Sequence, residues 1–146
     1  MTRSKRDAFN AVVVWALAEA SEHMPLPVNL SFSDIPDDLR ELLTEVASDE
    51  REQARLWKES VGFLEREHYI TGKPSHRDPR RIEFVRLTEK ALFVLDAVPP
   101  ALGGETIGSK LKDVANEAGK ETARAAVAET VGMMIGAAIR SLPGGG

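Results

Sequence analysis

Arg51, Arg55 and Lys58 are the residues of this chain whose type and spacing best suit a charged partner. At about 100° per residue they fall, with Gly62, within about 60° of one another on a helix. They lie opposite the apolar positions Ala54, Trp57, Val61 and Leu64. Three cations beside a small residue make a stripe that could approach phosphates. A second group follows in Lys73, His76, Arg77, Arg80 and Arg81. Residues 68–90 hold six Lys and Arg against three Asp and Glu, a local excess of three positive charges. The segment before it has the opposite sign: residues 34–67 carry eleven acids and five bases, a deficit that repels DNA. Glu52, Glu59 and Glu65 flank the stripe closely enough to form weak surface pairs with it. A solvated face and a phosphate-contacting face both fit these residues.

Other chemistry finds little support. The chain has no cysteine, which excludes disulfides, thiolate-bound zinc, iron–sulfur clusters and thiol catalysis. His23, His68 and His76 lack metal-ligand spacing. Gly103-Gly104 is followed by neither the lysine nor the helix of a phosphate loop. Asp37-Asp38 and the Glu65/Glu67 pair read as helix-end and solvated charges rather than as an acid/base pair. No serine sits in a nucleophile motif. The expectation is a protein that is not an enzyme, with no catalytic residues, no metal and no cofactor.

At 146 residues and 16.0 kDa the chain is one domain with a modest extension. Hydrophobic residues at 42% allow a real core, and 29% charged residues do not amount to disorder. A net charge of −4 excludes binding nucleic acid by bulk charge and leaves only a local patch. Arg3, Lys5 and Arg6 precede an apolar run from Ala11 to Ala18, the outline of an export signal. Asp7 and Asn10 interrupt that outline. Phe9, Val12, Val13, Ala16, Leu17 and Ala20 recur at helical spacing instead, so a core helix in a cytoplasmic protein is the preferred reading.

The elements that must hold these side chains follow in order. A first helix spans about residues 4–21 and ends before Met24-Pro25-Leu26-Pro27. Val28–Phe32 alternates as a short strand. A second helix starts near Ser33 or Asp34 and buries Leu39, Leu42, Leu43 and Val46. The third helix runs over about residues 49–67. Tyr69–Thr71 and Arg81–Leu87 form two strands around a loop punctuated by Gly72, Pro74 and Pro79. Thr88 caps a fourth helix that Pro99-Pro100 ends.

Helix, strand, two helices, hairpin, helix is the order of a winged helix-turn-helix. Phe63-Leu64-Glu65-Arg66-Glu67-His68-Tyr69-Ile70 resembles the helix-to-strand junction of MarR-like and PadR-like regulators. Phe84-Val85-Arg86-Leu87-Thr88-Glu89-Lys90-Ala91 is similar to the segment that enters their next helix. His68-Tyr69 and Ala91 stand where those families favour glycine. The resemblance covers about residues 5–98. It implies a mainly α fold, α-β-α-α-β-β-α, whose third helix enters the major groove while the wing touches the backbone. On that reading Arg51, Arg55, Lys58, Lys73, Arg77, Arg80 and Arg81 contact double-stranded DNA.

The expected organisation is a winged-helix domain over residues 1–98, a linker over 99–108 and an amphipathic assembly helix over 109–146. Ile107, Leu111, Val114 and Ala118, then Val127, Val131, Met134, Ile135 and Ala138, continue one stripe, about 55 Å long if unbroken. Ala128, Gly132 and Gly136 stand four apart, a ridge that admits a second helix closely. The uncharged run from Thr130 to Ile139 is too short to cross a bilayer. Two functions follow. One is a DNA-binding regulator that forms a homodimer through the ridge. The other is a non-enzymatic interaction module that uses the ridge for assembly or membrane-surface contact.

Overall fold

The structure, a computed structural model, describes residues 3–140. Among these residues are six α-helices and a small antiparallel sheet: α1 (Lys5–His23), α2 (Asp37–Val46), α3 (Glu50–Arg66), α4 (Glu89–Leu95), α5 (Ile107–Ala115) and α6 (Arg124–Arg140). The strands are β1 (Val28–Ser31), β2 (Ile70–Pro74) and β3 (Arg81–Leu87).

The apolar stretch that outlined an export signal is the centre of the core. Ala11 to Ala16 have at most 6% of their surface exposed, and α1 packs against α2, α3, α5 and α6. A helix buried on nearly all sides shows little amphipathic period. Its first turn is closed by a capping box. The Ser4 hydroxyl accepts from the Asp7 amide, and the Asp7 carboxylate accepts from the Ser4 amide at 2.8 Å. On α3 the expected face of Ala54, Trp57, Val61 and Leu64 is buried, as are Leu39, Leu42 and Leu43 of α2.

The sheet joins what the sequence shows as separate pieces. Its order is β1-β3-β2, so the short strand pairs with the hairpin's return strand and the hairpin is part of a three-stranded sheet. Val28 faces Val85 and Leu30 faces Ile82 on one side, while Thr71 faces Arg86 and Lys73 faces Glu83 on the other. Both ladders slip at one place. There Phe84 takes φ 57°, a left-handed value costly for an aromatic residue, and its amide donates to Asn29 Oδ1 at 3.1 Å. The bulge keeps Ile82 and Val85 in the core and turns Phe84 outwards, 61% exposed. Gly72 fits beneath it, since a Cβ there would lie 3.1 Å from Ile82 Cγ2 and 3.2 Å from Val85 Cγ2.

His68 takes φ 64°, a left-handed conformation that favours glycine. The Tyr69 amide reaches back to the Leu64 carbonyl at 2.8 Å and the His68 amide to Glu65 at 3.1 Å. These two bonds end α3 in a Schellman turn. The Thr88 hydroxyl, which also caps α4, donates to the His68 carbonyl and holds the strained residue in place.

The C-terminal half departs from the expected single helix. It is two helices, α5 and α6, separated by residues 116–123, which include a short 3₁₀ turn (Glu121–Ala123). The expected linker is partly ordered structure as well: Thr106 caps α5, and Ile107, its first residue, is fully buried. The break lets the stripe fold back, so Leu111, Val114, Val127, Val131, Met134 and Ala138 join the core around α1. Gly119 marks the turn. A Cβ on it would sit 2.3 Å from backbone atoms of Asp38 and Leu39 at the start of α2, and Arg3 donates to its carbonyl. Residues Glu121–Arg140 have the length and mean hydropathy, 1.2, of a membrane span, which counting only the uncharged run understates. Val127, Val131, Met134 and Ala138 of this stretch are buried in the core, where α6 packs against α1, α5 and α4, while Ile139 is exposed. Residues 141–146 of the expected assembly helix lie outside the described residues.

Candidate nucleic-acid interface

Asp49 caps α3 by accepting from the Glu52 amide at 2.8 Å, and the buried face of Trp57 and Leu64 fixes the helix's rotation. Arg51, Arg55 and Lys58 are therefore exposed together, and among the described residues none of them forms an ion pair. Gly62, half-buried, is overlaid by the Arg66 guanidinium rather than open. The acids that threatened this face are partly compensated elsewhere. Glu52 pairs with Lys5 at 3.1 Å, Glu59 with Arg66 at 3.8 Å and Glu45 with Arg3 at 2.7 Å. The Lys5 ammonium holds the Glu52 carboxyl below its usual range, and Arg3 does the same for Glu45. Asp37 and Glu41 on α2 stay exposed, so the acidic flank is reduced and not removed.

The hairpin tip is ordered by its own side chains. The Ser75 hydroxyl accepts from the Arg77 and Asp78 amides, each at 3.2 Å, and Asp78 Oδ1 accepts from the Arg80 amide at 2.9 Å. The tip cations then divide. Lys73, His76 and Arg77 are exposed with no ion pair among the described residues. Arg80 instead bridges to Glu50 at 3.2 Å and stacks on Phe32, while Arg81 meets Glu83 at 3.4 Å. The Arg80–Glu50 bridge ties the hairpin tip to the first turn of α3. This places two of the four expected wing contacts in intramolecular pairs and leaves Lys73 and Arg77 available.

The ridge of Ala128, Gly132 and Gly136 faces away from the core. Ala128 and Gly132 are exposed, Gly136 is half-buried, and a Cβ on Gly132 would meet nothing within 4 Å. Among the described residues no group of three His, Asp or Glu side chains could hold a metal.

One feature has no counterpart in the sequence reading. A groove of about 730 Å³ opens between the N-terminal half of α1 and the start of α6. Arg124, 117 residues from Asp7, bonds its carboxylate at 3.0 Å on the groove wall. Burial raises the Asp7 pKa, but the Ser4 amide and the Arg124 guanidinium outweigh it and hold the carboxyl below the ordinary value. Asn10 also lines this wall. Its interruption of an apolar run is the one local signal, and nothing local says what it faces. Compared with protein-family models, curated proteins and solved structures, the chain matches none.

Proposed function

We propose that this protein is a winged-helix DNA-binding protein, a transcriptional regulator that dimerises through α6. The observation that carries the reading is the row Arg51, Arg55 and Lys58, exposed on the outer face of α3 with no ion pair among the described residues. A helix–turn–helix arrangement of α2 and α3, joined by residues 47–49, and a hairpin tied to α3 through Arg80 support it. In this reading α3 enters the major groove, and Lys73 and Arg77 reach the phosphate backbone.

The test is binding of the purified protein to duplex DNA across a salt series. Replacing Arg51, Arg55 and Lys58 with alanine should abolish binding and leave the melting temperature nearly unchanged, because all three side chains are exposed. Replacing Lys73 and Arg77 should weaken binding to all sequences and reduce the slope of log affinity against log salt by about 2. Arg80→Ala and Arg81→Ala should act less, since each first loses an intramolecular partner. Unchanged affinity in both multiple mutants removes α3 and the hairpin as the DNA surface.

Dimerisation has its own check. Gly136→Leu would hold two α6 backbones apart, so a sedimentation-equilibrium dimer should become monomer even though leucine favours the helix. A variant that remains dimeric removes the ridge as the interface. The interaction-module reading is favoured by Phe84, an aromatic side chain displayed to solvent from a strained bulge.

A further inference from the structure

Arg80 reaches from the hairpin tip to the first turn of α3, the helix that carries Arg51, Arg55 and Lys58. There its Nη1 donates to Glu50 Oε1 at 3.2 Å. This is a single-point contact: among the described residues the Arg80 Nε and Nη2 have no hydrogen bond, and the Glu50 carboxylate has no other partner. The pair is also open to water, with 71% of the Glu50 side chain and 40% of the Arg80 side chain exposed. An exposed pair of this kind shifts an equilibrium by at most about fivefold. Other contacts hold Arg80 in place. Its guanidinium stacks on the buried Phe32 ring, 5.6 Å from the centroid. Its amide donates to Asp78 Oδ1 at 2.9 Å, and its carbonyl accepts from the Phe32 amide at 2.9 Å. Breaking the bond to Glu50 therefore leaves the guanidinium held beside α3, without a counter-charge. Arg81 is different, because its partner Glu83 lies on the same strand and ties nothing to α3.

We infer that the Glu50 carboxylate is an intramolecular stand-in for a DNA phosphate, a latch that occupies Arg80 in the free protein and yields it to the duplex. The latch rests on the proposal that α3 and the hairpin form the DNA surface, and it adds an autoinhibitory contact to that surface. A phosphate offers the guanidinium the same charge-assisted bond, and offers it in the bidentate form that one Glu50 oxygen does not. A duplex also surrounds Arg80 with several negative charges where Glu50 supplies one. The exchange has a cost: an ion pair inside the protein is lost for each one gained on the DNA, and Glu50 is left facing the phosphates without its cation. Affinity is therefore held down on every sequence alike, because the latch touches no base.

Binding of the whole protein to duplex DNA, followed by fluorescence anisotropy across a salt series, tests the latch through a double-mutant cycle. Glu50→Gln should tighten binding about three- to fivefold. It should also steepen the slope of log affinity against log salt by about 0.9, the share of one phosphate. Arg80→Ala should cost less than about twofold when Glu50 is present and about three- to tenfold in the Glu50→Gln background. Glu59→Gln is the control: it removes another exposed carboxylate of α3, paired with Arg66, and its effect should be the same with or without Arg80. A Glu50→Gln gain that survives in Arg80→Ala is only the loss of a negative charge near DNA, and overturns the latch while the DNA surface stands. Equal cost of Arg80→Ala in both backgrounds overturns it in the same way. Absence of DNA binding by both the unsubstituted protein and Glu50→Gln removes the DNA surface itself, and the latch with it.

Discussion

Trp57→Ala is expected to cost about 3–5 kcal/mol, read from the urea unfolding midpoint at constant m-value. Trp57 has no exposed surface and sits between the rings of Trp15 and Phe32, at centroid distances of 6.3 and 6.1 Å. These three rings join α3 to α1 and to the chain leaving β1, so the cavity left by alanine opens where three elements meet. It cannot collapse by moving one of them alone. Trp57→Phe is the informative companion. The indole N–H is buried with no acceptor among the described residues, so phenylalanine loses volume but also removes an unpaired donor. Its cost should stay below about 2 kcal/mol, because the two contributions have opposite signs. An alanine variant that loses less than about 1 kcal/mol would mean the α3 face is not the keystone of the core.

Gly119→Ala is the second large effect, and its cause differs. The added Cβ would fall 2.3 Å from the Asp38 carbonyl carbon and the Leu39 nitrogen, which are backbone atoms in the first turn of α2. Side chains can rotate out of such a contact; a helical backbone cannot. The connection between α5 and α6 must therefore lift from α2, pulling its carbonyl away from Arg3 and loosening the Arg3–Glu45 pair. The expected loss is about 3 kcal/mol or more, at the upper end of overpacking effects. Amide exchange should rise first in α5 and α6. Gly136→Ala provides the contrast, since only the flexible end of Arg140 lies nearby, at 3.8 Å, and alanine is the better helix former. It should be neutral or slightly stabilising. Equal stability of the Gly119 and Gly136 variants would show that the turn is not held against α2.

The two glycines show where reading the sequence stops. In sequence both are small residues in an Ala/Gly-rich tail, and only Gly136 falls in the four-residue ridge. Gly136 meets only the flexible end of Arg140 and Gly119 is pressed against a backbone, a distinction made by α2, some 80 residues before Gly119 in the chain.

What was legible is what is decided within a turn or two of chain. The strand Arg81–Leu87, the Thr88 cap and the buried faces of α2, α3 and the tail follow from period and capping chemistry, which neighbouring residues carry themselves. The exposure of Arg51, Arg55 and Lys58 was legible for the same reason: once Trp57 and Leu64 are buried, a helix has no freedom left to turn those cations inwards. The rest required contacts between distant segments. Pairing of β1 with β3, the Arg80–Glu50 bridge that withdraws a hairpin cation, the fold-back of α5 and α6 onto α1, and the Asp7–Arg124 pair each join segments far apart in the chain, 30 positions for Arg80–Glu50 and 117 for Asp7–Arg124. Residue type and spacing state which groups can pair, and only the packing of the whole chain brings one particular pair within bonding distance.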